Sequence, residues 1–272
     1  MNDAELVAAR GRITRGRFVF VFCLLMVPAS FVLSCGGTIL LLPAQDRAFG
    51  LLPAVVLPVL FLVAAVFARR PGRAAAVEVE LIRWADSNGF HYRRRAAGAV
   101  AADAVYKMGD ENERKFHMTG EVGGVRVELL NRWTRSGFSE VAEVEAEQTE
   151  AALVGVLPRE IDFVLLPKSE MGEVIDLTRG ERLRFRDDPE FDRAFIVYSE
   201  NPAPIEGGLP ERFVGRCLKR PEYTVAARRG TLLVFRLNYV CTPDGYDSLL
   251  DHTLALAAAL GDAGGSPHHV RT

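Results

Sequence analysis

The chain has 272 residues, 49% hydrophobic and 9% aromatic, with 33 Lys/Arg against 35 Asp/Glu and four Cys. That average hides a split, because two long charge-free stretches fall in the first quarter and an ordinary polar sequence fills the rest. The pattern excludes a wholly soluble cytosolic chain, a disulfide-stapled secreted module, a collagenous or disordered protein and, since nothing after Ala68 is long and apolar enough to span, a multi-pass transporter.

Residues 1–17 are a basic N-terminus carrying Arg10, Arg12, Arg15 and Arg17. Phe18 to Leu42 follows without a charge and would make roughly 37 Å of helix, more than a bilayer core requires. Ala48 to Ala68 would make about 32 Å. Only Pro43 to Arg47 separates them, so residues 18–68 are predicted to form an antiparallel transmembrane hairpin (18–42 and 48–68). Pro28, Pro53 and Pro58 are tolerable inside such helices, and Ser30, Ser34, Gly36, Gly37 and Thr38 suit close packing. No ionisable residue lies inside either span, which argues for an anchor rather than a transport path.

Arg69, Arg70 and Arg73 follow the second span, against Arg47 alone in the loop. The excess of Lys/Arg at both ends places both termini in the cytoplasm and the protein in the cell inner membrane. A competing reading takes Val32 to Gly36 as a lipoprotein box with Cys35 as the acylated residue. The apolar run continues through Leu42, where a cleaved signal would turn polar, so the anchor reading is preferred.

From Ala74 onward there are 25 Lys/Arg against 32 Asp/Glu, an acidity that argues against a nucleic-acid partner. Residues 69–90 are predicted to hold a linking helix, with Val77, Leu81, Trp84 and Ala85 at helical spacing and Asn88-Gly89 as its stop. Residues 91–262 are predicted to be one α+β domain. Phe90 to Arg94 reads as extended and Ala96 to Asp110 is ambiguous. Lys115 to Glu121 and Val125 to Trp133 form a hairpin through Gly123-Gly124, and Arg135-Ser136-Gly137 reads as the next turn. Strands are expected over Phe138–Thr149, Ala152–Leu157, Ile161–Leu166 and Arg182–Arg186. A short helix from Asp188 precedes an extended Ala194–Tyr198. Pro210–Arg220 is helical, Tyr223–Ala227 and Thr231–Tyr239 pair, and Tyr246–Leu260 is a final helix. Residues 263–272 read as a disordered tail. The fold class is therefore α+β, a two-helix hairpin followed by a mostly antiparallel sheet flanked by helices.

No nucleotide, zinc-protease, serine-hydrolase or C-x-x-C motif is present, and no cofactor is implied. Asp187, Asp188, Glu190 and Asp192 are the densest acidic cluster and the weak candidates for a divalent metal. Capping explains them better: Asp188 suits an N-cap, Pro189 the first helical position, and Glu190 and Asp192 the positive end of a helix dipole. His91, His117 and His252 stand apart from other ligands in sequence. His268-His269 lie in the predicted tail. Cys217 beside Arg216 and Lys219 reads as buried, with an activated thiol as the less favoured reading. Arg69, Arg70 and Arg73 are candidates for membrane-surface contact, while Arg93 to Arg95 read as a solvated strand end. Glu140, Glu143, Glu145 and Glu147 read as a solvated acidic face.

The segment Asp188-Pro189-Glu190-Phe191 with Phe195, Val197, Tyr198 and Ser199 resembles the D-P-E-F-x-x-x-F-x-V-Y-S stretch of a bacterial membrane-protein family of unknown function. The resemblance implies a two-helix hairpin ahead of a soluble α+β domain, and it carries no catalytic residues. Gly89-Phe90-His91-Tyr92 and Gly123 to Glu128 fit the same order, and Pro202 to Gly208 departs from it. Phe191 and Phe195 stand four apart, so packing alone accounts for the signature. The function expected is a membrane-anchored, non-enzymatic scaffold or sensor whose partners are the lipid bilayer and another protein or a small ligand. The alternatives are a membrane-tethered hydrolase or metal-dependent enzyme using Asp187 to Asp192, and a lipid-headgroup sensor using the Arg69 to Arg95 collar.

Overall fold

The computed structural model describes residues 3–41, 59–60, 63, 75–105, 111–137, 143–170, 180–185 and 187–261. The described chain divides into two units, Met1–Arg83 and Trp84–Thr272.

In the first unit, α1 (Asp3–Leu41) starts well before the predicted span and runs through Pro28 unbroken. Among the described residues, no helix is long and apolar enough to cross a membrane. Most of the second predicted span lies outside the described residues, as do the loop after α1, Arg69, Arg70, Arg73 and the tail. Helix α2 covers residues 75–87. Its Leu81 and Ala85 are buried as the spacing predicts, but Val77 is exposed. Within this unit the buried Glu78 carboxylate is paired with Arg12 at 2.6 Å. Gly89, at φ +75°, ends α2 in the left-handed conformation suited to glycine.

The second unit is built on nine strands, β1 (His91–Arg95), β2 (Glu111–Val122), β3 (Val125–Gly137), β4 (Glu143–Val154), β5 (Phe163–Pro167), β6 (Glu181–Leu183), β7 (Phe195–Ser199), β8 (Thr224–Arg228) and β9 (Thr231–Phe235). They form one sheet in the order β1-β2-β3-β4-β9-β8-β5-β7-β6, and every described neighbour pair is antiparallel. Its helices are α3 (Ala101–Val105), α4 (Pro189–Ala194), α5 (Glu211–Lys219) and α6 (Pro243–Gly261). The α+β class and the mostly antiparallel sheet flanked by helices agree with the sequence reading.

Gly123 and Gly124 take φ +58° and +81° in the tight turn that joins β2 to β3, as Gly-Gly hairpins require. Several boundaries differ from expectation: β2 starts at Glu111 and β3 runs to Gly137, β6 is only Glu181–Leu183, and β9 ends at Phe235 rather than Tyr239. Arg135-Ser136-Gly137 is no turn, because Ser136 and Gly137 pair with Val144 and Glu143 inside the ladder. Ala152–Leu157 is not a separate strand, since β4 runs unbroken from Glu143 to Val154. Thr149 and Glu150, where the two predicted strands meet, lie buried mid-strand. The ambiguous Ala96–Asp110 stretch supplies α3.

Period-2 alternation assigns the sheet two faces. One carries Leu130, Ala152, Val164, Ala226, Leu233 and Phe235, packed with Val100, Ala102 and Val105 of the α3 segment. On the other face the Tyr246 hydroxyl of α6 donates to Asn131 Oδ1 at 2.9 Å, and the Phe213 ring of α5 meets Phe163 edge-on at 5.7 Å.

The signature segment is a packing device. The Phe191 ring is fully buried against Phe185 and Phe195, at 5.4 and 5.2 Å. The Asp188 carboxylate caps α4 by accepting from the Phe191 amide at 2.9 Å, with Pro189 at the first helical position. Asp188→Ala is expected to cost about 0.5–2 kcal/mol and Asp188→Asn little, measured as urea midpoints.

Candidate functional site

The feature that local sequence rules do not predict sits on the α3 face near the β1 edge. Between Lys115 and Met118 the β2–β3 register shifts by a bulge. Phe116 there takes φ +53°, a left-handed conformation costly for a bulky residue. The Arg114 side chain reaches Asp103 of α3, so strict alternation from Arg114 would turn residue 117 to the opposite face. The extra residue turns His117 back. His117 pairs with Arg93 across β1 and shares a face with Glu128, two residues before Leu130 on β3.

The resulting cleft has a volume of about 580 Å³ and is lined by Arg93, His117, Thr119, Glu121, Arg126 and Glu128, with Ala97 and Ala99 beside them. Glu128 forms its floor. That carboxylate is buried and accepts from Arg126 Nη2 at 2.6 Å and from the Ala101 amide at 2.7 Å. Burial alone would raise its pKa. The nearby His117, the hydrogen bonds from Ala101 and Arg126 and the Arg126 charge together outweigh burial and hold the carboxyl below its ordinary value. The His117 Nε2 stands 3.8 Å from Glu128 Oε2, and both ring nitrogens are buried without a hydrogen-bond partner among the described residues. Leaving such a group unpaired costs roughly 1–3 kcal/mol, so a strained bulge and an orphaned imidazole meet at one point.

Behind the cleft, Glu128 also fixes the start of α3 through the Ala101 amide. Asp103 of the same helix accepts from the buried Arg132 at 3.0 Å and pairs with Arg114 at 2.5 Å. Arg132 Nε donates to Glu150 Oε1 at 2.7 Å, both side chains being fully buried. The α3 segment is thus held by charge as well as by its apolar contacts.

The residues singled out in the sequence do not converge here. Asp188 is spent on its cap, Asp187 and Glu190 are exposed, and the Asp192 carbonyl accepts from Lys168. Among the described residues no group of three His, Cys, Asp or Glu is placed to hold a metal ion. Tyr198 is part-buried in β7. Arg93 to Arg95 are exposed on β1, and Arg93 lines the cleft. Glu147 is exposed, whereas the side chains of Glu143 and Glu145, and all of Glu140, lie outside the described residues. Cys217 is buried and its thiol is pushed up to about 12 by burial, which makes it inert at neutral pH. Cys217 and Cys241 are both free thiols.

His252, on α6, faces Tyr223 at 5.2 Å. Burial first, then the Arg220 and Arg216 charges, depress its pKa from 6.5 to about 4, against an opposing pull from Glu222. The folded state therefore prefers the neutral ring. Its contribution to stability is present above pH 6.5 and is lost as pH falls towards about 4. Unfolding midpoints recorded across that window should fall for the natural chain and flatten in His252→Gln.

No family model matches the chain, and no curated relative matches it. Among solved structures it is similar to the crystal structure of the mycobacterial trehalose monomycolate transport factor A, TtfA. That match has 15% identity and a TM-score of 0.44, covering 70% of this chain and 97% of that one. The likeness is too loose to assign a function.

Proposed function

We propose that this chain is a membrane-anchored binding protein. Residues 18–68 would be a two-helix hairpin in the cell inner membrane with both termini cytoplasmic. The α+β unit would hold a small ligand in the His117 cleft without transforming it. The observation that carries the binding role is the imidazole held by a strained bulge beside a buried carboxylate, with neither ring nitrogen hydrogen-bonded among the described residues. Glu128 is already committed to Arg126 and the Ala101 amide, which makes it a floor and a brace rather than a base awaiting a proton.

The anchor is supported by α1. Phe18, Val19, Val21, Phe22 and Leu25 expose 45–71% of their surface. They occupy a wide arc of the helix, an arrangement that lipid favours and water does not. The hairpin order also fits the bacterial family that the Asp188 to Ser199 segment resembles. Paired GFP and alkaline phosphatase fusions after Gly261 test the topology. Bright GFP with silent phosphatase is the expected result. Active phosphatase would overturn the cytoplasmic placement. Turnover of a substrate by the purified full chain would overturn the non-enzymatic reading.

A further inference from the structure

Around His117 the uncommitted polar groups are mainly donors. Arg93 gives only its Nε, to His91 Nε2 at 3.3 Å, which leaves both Nη groups without a partner among the described residues. Arg126 engages Glu128 through Nη2 alone, its remaining N–H groups uncommitted among the described residues. The His117 ring nitrogens are unpaired. The floor acid, by contrast, already accepts a short hydrogen bond on each oxygen, and Glu121 is exposed at the rim.

Two planar guanidiniums beside an imidazole, facing no unsatisfied buried carboxylate, match an oxyanion. Arginine meets carboxylate and phosphate through paired, parallel hydrogen bonds that lysine or a neutral amide cannot reproduce. The cleft volume of about 580 Å³ leaves room for a larger body behind the anionic group. We infer that the cleft binds the carboxylate or phosphate of a small solute or a lipid headgroup through Arg93 and Arg126, with the His117 ring beside them. This rests on the reading of the cleft as a ligand site.

The test uses the full chain in a non-ionic detergent, with the imidazole NMR signals followed and His117 assigned through His117→Gln. Inorganic phosphate is expected to move the His117 signals saturably and leave His252 in place. Arg93→Ala, at an exposed position that packing does not need, should weaken that response by about tenfold or more. A second arm places the chain in vesicles of phosphatidylglycerol or of an uncharged glycolipid. A His117 response to phosphatidylglycerol but not to soluble phosphate would keep the oxyanion and make the headgroup its source. Movement with putrescine but not with either phosphate source would overturn the oxyanion inference and leave the cleft a ligand site. Indifference of His117 to all three probes would overturn both.

Discussion

Arg132→Ala is expected to destabilise the α+β unit by about 3–5 kcal/mol, the cost of removing one member of a fully buried ion pair. Glu150 would lose its cation, with Gln148 Nε2 still donating to it at 2.9 Å, and Asp103 would keep Arg114 and the Val100 amide. The penalty comes from the orphaned charge rather than from the net value of the pair. The double substitution Arg132→Met with Glu150→Gln should therefore recover much of the loss, since it leaves no unpaired charge between β3 and β4. Urea unfolding followed by the fluorescence of Trp84 and Trp133 reads both variants. If the single variant lost less than about 1 kcal/mol, water would be reaching the pair and the charged brace on α3 would be minor.

Phe191→Ala carries the second large effect. The ring is fully buried and touches Phe185 and Phe195, so truncation removes apolar burial and leaves a cavity, at an expected cost of about 3–5 kcal/mol. Phe191→Leu should recover more than half of that loss, because it refills most of the volume. Neither change should alter ligand binding, because α4 packs against β7 and the cleft is built at β1, β2 and β3. The same unfolding curves check the stability values, and the phosphate titration checks the independence.

Much of the fold was legible because its signals are local. Gly123-Gly124, the Asp188-Pro189 cap, the paired runs across Arg229-Gly230 and the stop at Asn88-Gly89 each fix one turn or terminus by backbone conformation or capping chemistry. What misled were the polar residues placed inside long strands. Thr149 and Glu150 fall at a predicted strand end, and they are buried mid-strand because each finds a partner across the ladder, Asn131 and Arg132. Pairing of that kind is set by register, which no local window contains.

The cleft was hidden for the same reason. His117 and Glu128 are separated by a hairpin turn, and period-2 counting along β2 assigns His117 to the wrong face. Only the bulge at Phe116 brings the two together, and a Phe at positive φ has no compositional mark. The acidic cluster was conspicuous in sequence because helix capping concentrates acids locally, with no ligand required. A hint was available in Glu128, an acid two residues before an apolar Leu130 on a strand whose neighbouring positions are all buried.

Under the proposed function, His117 is held for a ligand and not for the fold. The most direct measurement is the unfolding free energy of His117→Leu against the natural chain, without ligand, from urea curves read by Trp84 and Trp133. Leucine fills the pocket and removes two buried, unpartnered nitrogens, while Glu128 keeps its bonds from Arg126 and Ala101. The variant is expected to be at least as stable as the natural chain, and unresponsive to phosphate. A loss of more than about 1 kcal/mol would show that the imidazole serves the structure, and would contradict the claim.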